Sequence, residues 1–327
     1  MPTEQLYHRV PRPTASMEKV ACFNQKIEDI VRRDGVGSFL KNASQDMLPT
    51  MIQEHREYAS VLRRFVLTHG AKDPGVVSFL DDQNRPVVQY VRDLGARAAI
   101  LTLDAQPAVH TLDHPDHLNV PFLSVVSDLG KIHEQRVLTQ RYDYLARWAE
   151  LAGWRCAAAE DSLFKTLVDQ ALAGLSDQVI SASTDAKFTK DHLADLTRKI
   201  KVNNLVPTCF FMTETRFADF YDNFGMDEFD DVTQREVLTT GQYQSIWGIP
   251  IITAPNSERP EERVWKDNEI YCFASPQDVG RMPVLKDVEI TTADQVDEKL
   301  EFSSFAREYF GLAITKSHAI SKLILKA

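Results

Sequence analysis

From Leu138 to Leu172 the chain carries one long helical pattern. Leu138, Tyr142, Leu145, Trp148, Ala152, Cys156, Ala159, Leu163, Leu167 and Ala171 recur three or four residues apart. Only Gly153 interrupts it, and a single glycine costs a helix roughly 1 kcal/mol without breaking it. Thirty-five residues rising about 1.5 Å each make a rod of roughly 50 Å. That is long for a compact enzyme domain and suits a strut laid across a flat plate.

Beyond the rod, helices and strands alternate. The pattern of residues 189–202 predicts a helix with Leu193, Leu196 and Ile200 on one face. Arg198, Lys199 and Lys201 fall in its last turn, where cations suit the negative end of the helix dipole. Leu205 to Met212 reads as a short apolar strand. Thr213 is placed to cap a helix carrying Phe217, Phe220, Tyr221 and Phe224, which Gly225 ends. Hairpin-like strands follow from Val232 to Thr253, including the stretch Gly241-Gln-Tyr-Gln-Ser-Ile-Trp-Gly-Ile-Pro-Ile-Ile-Thr253, and Glu269 to Ala274 adds another. The mixture predicts an α+β or α/β chain, and no internal repeat is visible.

Ahead of the rod lie a helical pattern over residues 44–68 (Met47, Met51, Tyr58, Leu62, Phe65) and two β-rich runs, Val76 to Leu80 and Pro86 to Val91. The polar break Asp81 to Arg85 joins the runs into a hairpin. A lone two-stranded hairpin is marginal in water, so this one is expected to lean on a partner chain. A further β-rich region spans Ala98 to Val126, with Pro121 near the start of its last strand. Within residues 1–33, Arg9, Arg12, Lys19, Lys26, Arg32 and Arg33 outnumber Glu4, Glu18, Glu28 and Asp29. This slightly basic stretch reads either as a solvated terminus or as an arm reaching over a neighbour or towards DNA.

A chain of 327 residues can hold two domains or one elaborate one. Its net charge of −10 argues against a partner gripped through phosphate neutralisation, but an acidic wall can enclose DNA without holding it. Cys22, Cys156, Cys209 and Cys272 are widely spaced, which argues against a thiolate zinc site or a disulfide framework and fits a reducing compartment. The first residues lack an apolar core of signal-peptide length, and the uncharged run Val237 to Ser257 is broken by Gly, Pro, Gln and Ser. The expectation is a soluble protein made in a cytoplasm, with no membrane partner.

Candidate chemistry is thin. His110, His114 and His117, with Asp113 and Asp116 between them, offer metal-ligand atoms. Pro115 prevents the helical spacing that holds ligating histidine pairs, and a polar loop is the plainer reading. The acidic run Asp222, Asp227, Glu228, Asp230, Asp231 lacks the alternating ligand order of a calcium loop. No phosphate loop or nucleophile elbow occurs. The expectation is no catalytic, cofactor-binding or metal residue, no cofactor, and no enzyme.

Three stretches carry a resemblance. The first is Pro121-Phe-Leu-Ser-Val-Val-Ser-Asp128, followed by Ile132-His-Glu-Gln-Arg136 and Arg141-Tyr-Asp143, with Glu160-Asp161 inside the rod. The second is Pro207 through Pro255, with Gly241 and Trp247-Gly-Ile-Pro250. The third is Glu308 to Ile320. In this order they resemble the major capsid protein of tailed double-stranded DNA bacteriophages, whose fold is the Hong Kong 97-type. The resemblance implies an N-terminal arm over residues 1–70 and an extended β-hairpin loop over 71–118. It implies a peripheral domain of 119–175 and 281–314 with a spine helix at 138–172. It also implies an axial domain of 176–280 and 315–327, the chain closing through a strand and a helix.

The implied function is a shell subunit that assembles into hexamers and pentamers around double-stranded DNA in the virion. Implied partners are a separate scaffolding protein, a portal and a cement protein. The Lys–Asn cross-link of the family's type member is not expected, because Lys72 is the sole lysine of 71–118 and residues 284–327 contain no asparagine. Tyr90, Trp148, Trp247 and Phe310 could anchor subunit contacts or fill the core. Rival readings are an encapsulin-type compartment shell, a metallohydrolase using the 110–117 cluster, and a helical adaptor built on the rod.

Overall fold

The computed structural model describes residues 53, 60–70, 77–80, 86–93, 116–127, 130–182, 185, 187–217, 219, 245–254, 263–293 and 301–326. Two sheets flank one long helix. A short helix α1 (Leu62–Phe65) leads into strand β1 (Leu67–Gly70), a hairpin β2 (Val77–Leu80) and β3 (Pro86–Asp93), then β4 (Asp116–Val126) and β5 (Gly130–His133). The long helix α2 runs Glu134–Ala173. After it come β6 (Val179–Ala182), helix α3 (Lys190–Val202), β7 (Pro207–Thr213), helix α4 (Glu214–Phe217), β8 (Ser245–Ile246), β9 (Ile249–Ala254) and β10 (Glu269–Ala274). Helix α5 (Pro276–Val279), β11 (Gly280–Ala293), β12 (Glu301–Gly311), β13 (Ala313–Ile314) and β14 (Ile320–Leu325) complete the order.

The first sheet runs β1-β11-β12-β4-β3-β2, with β13 on β11 and β5 on β12. The second is mixed and runs β6-β14-β10-β7-β9-β8. Its centre, β10, is buried along its whole length, as a strand covered on both faces must be. Helix α3 lies against β14, β10 and β7 through Leu193, Leu196 and Ile200, all fully buried. Thr189 caps it: its hydroxyl accepts from the His192 amide at 3.4 Å, while the His192 ring accepts from the Thr189 amide at 3.2 Å.

The other face of the second sheet holds an aromatic cluster that unites the molecule. Phe65 of α1 stacks on Phe273 of β10 at 4.4 Å between ring centroids and meets Phe211 of β7 edge-on at 5.2 Å. Phe164 of α2 stacks on Phe273 at 5.9 Å, and Trp265 closes the cluster against Phe211 at 4.7 Å. Such pairs contribute about 0.5–1.5 kcal/mol each beyond simple burial.

The structure corrects several expectations. The rod is longer than 138–172, and its buried stripe is displaced by one position. Ala149, Gly153, Cys156, Glu160, Phe164, Val168 and Leu172 face inward, with Asp161 and Lys165 beside them, while Ala159 is exposed. Hydropathy alone points away from that stripe because it carries three charged residues. The hairpin does not stand alone either: β3 pairs antiparallel with β4 of the same chain, Val88 opposite Val120, and Val88, Tyr90 and Val120 form a small core there. Instead of closing in a helix, the chain forms β14, whose Ile-Ser-Lys-Leu-Ile-Leu run fills the slot between β6 and β10. Apolar and β-branched residues suit such a strand. Of the helix expected over 44–68, Gln53 and Leu62–Phe65 are helical, but the helix stops at Phe65, and Leu67 and Thr68 already belong to β1. The continuation of α4 through Phe220 to Gly225 and the strands over 232–244 lie outside the described residues.

Gly280 marks the tightest crossing. A Cβ there would lie 2.5 Å from the Ala313 carbonyl oxygen and 3.4 Å from Val66 Cγ1. At Gly174 an added Cβ meets nothing within 4 Å. Gly280→Ala is therefore expected to cost roughly 1–3 kcal/mol by overpacking, whereas Gly174→Ala is neutral or slightly stabilising. Urea denaturation of the two variants decides it, and equal midpoints would refute the crossing.

Candidate assembly surface and its buried supports

The chain preceding β1 is fastened to the middle of α2 by polar side chains that are buried apart from the partly exposed Arg63. Ser60 donates to Glu160 Oε2 at 2.8 Å, and Arg63 Nη2 lies 2.7 Å from Glu160 Oε1. The same guanidinium stands 3.6 Å from Glu308 on β12. Asp161 Oδ1 accepts from the amides of Val61 and Leu62 at 3.1 and 2.9 Å, covering the first turn of α1. Glu160, Asp161 and Glu308 are all buried. Burial pushes the Asp161 carboxyl up to about 7, against the opposing pull of the Leu62 amide and with added repulsion from Glu160.

One turn further along α2 a second cluster bolts the helix to the second sheet. Lys165 Nζ bridges Asp169 at 3.2 Å and Glu269 of β10 at 3.0 Å. Lys322 of β14 bridges the same two carboxylates at 2.8 and 2.9 Å. Tyr271 donates its hydroxyl to Glu269 at 2.8 Å. Two cations and two anions thus alternate in a closed ring. Burial alone would raise Glu269, but the bonds from Lys322, Lys165 and Tyr271 hold it below the usual carboxylate range. Asp169 is held down in the same way, burial being outweighed by Lys322 and Lys165.

The surface feature that stands out is the tip of the β8–β9 hairpin. Trp247 (φ 51°) and Gly248 (φ 73°) occupy two successive left-handed positions, the geometry of a two-residue hairpin turn that matches the strand twist. Glycine takes this conformation freely, but a tryptophan does so at a cost of about 1–2 kcal/mol. Trp247 is nevertheless 47% exposed. It borders a groove of about 520 Å³ against helix α3, lined by Thr197, Arg198, Lys201, Val202 and Ile249. Val202 is 75% exposed at the end of α3, and Val206 after it 72%. Large apolar side chains left in water beside cations are what a contact surface presents.

Of the four aromatic residues considered as anchors, Phe310 and Tyr90 are buried in the core, Trp148 is half-buried, and Trp247 alone stands well exposed. The ring of Lys165, Asp169, Glu269 and Lys322, buried except at Asp169, is almost invisible in the sequence. Its one local signal is the Lys165–Asp169 spacing of four on a helix. Asp116 and His117 begin β4, while His110 to Pro115, the acidic run 222–231 and Lys72 lie outside the described residues. No helix among the described residues is long and apolar enough to cross a membrane.

No family model matches the sequence, and no curated protein matches it. Solved structures do match. A structure from Microbacterium phage Oxtober96 aligns over 82% of this chain and 91% of its own with a TM-score of 0.54 and 12% identity. A capsid structure of the cyanophage P-SCSP1u aligns over 82% and 89%, with a TM-score of 0.53 and 13% identity. A virus-like particle from Pyrococcus furiosus aligns over 85% and 98%, at 0.51 and 14%. The likeness is one of fold: the chain adopts the α+β Hong Kong 97-type capsid fold.

Two outcomes are expected from the buried charges. Removing one member of a buried ionic cluster leaves its partners uncompensated, so Glu269→Gln should cost about 3 kcal/mol in urea denaturation. A loss below about 0.5 kcal/mol would show the ring to be idle. For Asp161, whose folded value lies above its unfolded one, the protonated form favours the fold. Its contribution is full below about pH 4 and is lost as pH rises to about 7. Asp161→Asn keeps the acceptor oxygen but does not titrate, so the variant should gain on the parent in stability between pH 4 and 7. A difference that stays constant across that window would sink the assignment.

Proposed function

We propose that this chain is the major shell subunit of a tailed-phage head. It assembles into hexamers and pentamers that enclose double-stranded DNA, and its work is assembly rather than catalysis. The observation that carries this reading is the capsid fold, traced along more than four-fifths of the chain. The acidic balance of the sequence supports a wall that surrounds DNA without gripping it.

In this reading residues 1–70 form an arm and 71–118 the extended loop. Residues 119–175 and 281–314 form the peripheral domain, and 176–280 with 315–327 the axial domain around the ring axes. The grouping of β6, β7, β8, β9, β10 and β14 in one sheet supports the last of these. The buried clamp on Ser60 and Arg63 supports an arm whose base is fixed while its remainder reaches outward. A ring of identical copies needs two unlike surfaces that meet head to tail, and permanent contacts of this kind bury roughly 2,000 Å² or more. A separate scaffolding protein, a portal and a cement protein complete the assembly, which takes place in the host cytoplasm before the subunit resides in the virion.

Negative-stain electron microscopy of the purified chain, alone and with candidate scaffolding proteins, tests the reading. Closed shells or ring-shaped capsomers are expected. Monomers or dimers under every condition would overturn it, and shells packed with protein cargo instead of DNA would point to a compartment.

A further inference from the structure

The groove beside Trp247 has the character of half a contact. Its floor and lip are apolar, from Ile249, Val202 and the indole, and its rim carries Arg198 and Lys201. Arg198 is engaged by Asp195 at 2.9 Å, but both side chains are exposed, and pairs of that kind are weak and readily exchanged. A cationic groove repels its own copy, so a two-fold contact of groove on groove is disfavoured. It calls for an acidic and aromatic occupant.

The chain contains one stretch of that chemistry. Tyr221-Asp-Asn-Phe-Gly-Met-Asp-Glu-Phe-Asp-Asp231 combines three aromatic side chains with five carboxylates and has no lysine or arginine. No other stretch of the sequence mixes the two so densely without a base. Its aromatic rings match the exposed indole and Val202, and its carboxylates match the two cations. Two surfaces, each complementary to the other and neither to itself, are what a head-to-tail ring requires.

We propose that the groove between α3 and the β8–β9 turn receives segment 221–231 of the neighbouring copy in the ring. The inference rests on the shell reading and names a contact within it. The strained turn at Trp247 then has a use: it holds the indole out of its own core, facing the next subunit.

Charge reversal and cross-linking test it. Arg198→Glu with Lys201→Glu lies on an exposed face, so its circular dichroism should match the parent, while the loss of two cations from the C-terminal end of α3 should lower its melting point by no more than a few degrees. Its assembled fraction should fall about tenfold or more. Adding Asp227→Lys and Glu228→Lys should restore assembly. Assembly unaffected by the reversal, or a loss that the swap does not repair, would overturn the proposal. In a Val202→Cys, Phe229→Cys chain, oxidation of assembled particles should give a ladder of linked subunits. A bond within one chain, or none, would overturn the neighbour as occupant. A parent chain that never assembles would sink the shell reading itself, whereas a parent that assembles beside an indifferent charge-reversed variant would sink only this contact.

Discussion

A carboxylate taken out of water must be met by donors, or the fold loses more than most single contacts return. The long helix places Glu160 and Asp161 on its buried face with Lys165 beside them, and the remaining elements are arranged so that each is answered. The segment before β1 answers the first two with a hydroxyl, a guanidinium and two amides. Strands β10 and β14 answer the third with Glu269 and, through Asp169, with Lys322. Hydrophobic burial supplies most of the driving force, but it does not say where along a 40-residue rod each neighbour must sit. The charges do, because an ionic partner displaced by one helical turn is no partner at all.

That device explains how two sheets can share one helix without a conventional two-layer core. The aromatic cluster of Phe65, Phe164, Phe211 and Phe273 joins α1, α2, β7 and β10 at a single point, flanked by the two ionic clusters. Phe65 belongs to a helix of four residues, too short to persist alone. It persists because Asp161 covers its first amides and because its ring lies in the centre of the cluster.

Much of this was readable in the sequence, and where reading failed the reason is physical. The rod, the Leu193–Leu196–Ile200 stripe and the strand Glu269 to Ala274 all carry strong local periodicity, and the structure returns them nearly unchanged. Reading the rod's buried face from apolar spacing fails because charged residues paired across long sequence distances look like solvent-facing residues. The hairpin looks unsupported because its support, β4, lies beyond a long intervening segment. Taking the close of the chain as a helix fails because what decides it is the open slot between β6 and β10, a tertiary fact. Trp247 is similar: its exposure follows from a left-handed turn, and only the glycine after it hints at that turn.

Strand β4 spends its first half beside β3 and its second half beside β12, pairing Val87 with Pro121 on one side and Phe122 with Gly311 on the other. It therefore works as a splice. A pull on the β2–β3 hairpin along the strand direction loads the rungs of both ladders in shear, many at once, instead of opening them one after another like a zipper. The hairpin can thus bear tension from outside the body of the subunit and pass it into the sheet through the backbone of eleven consecutive residues.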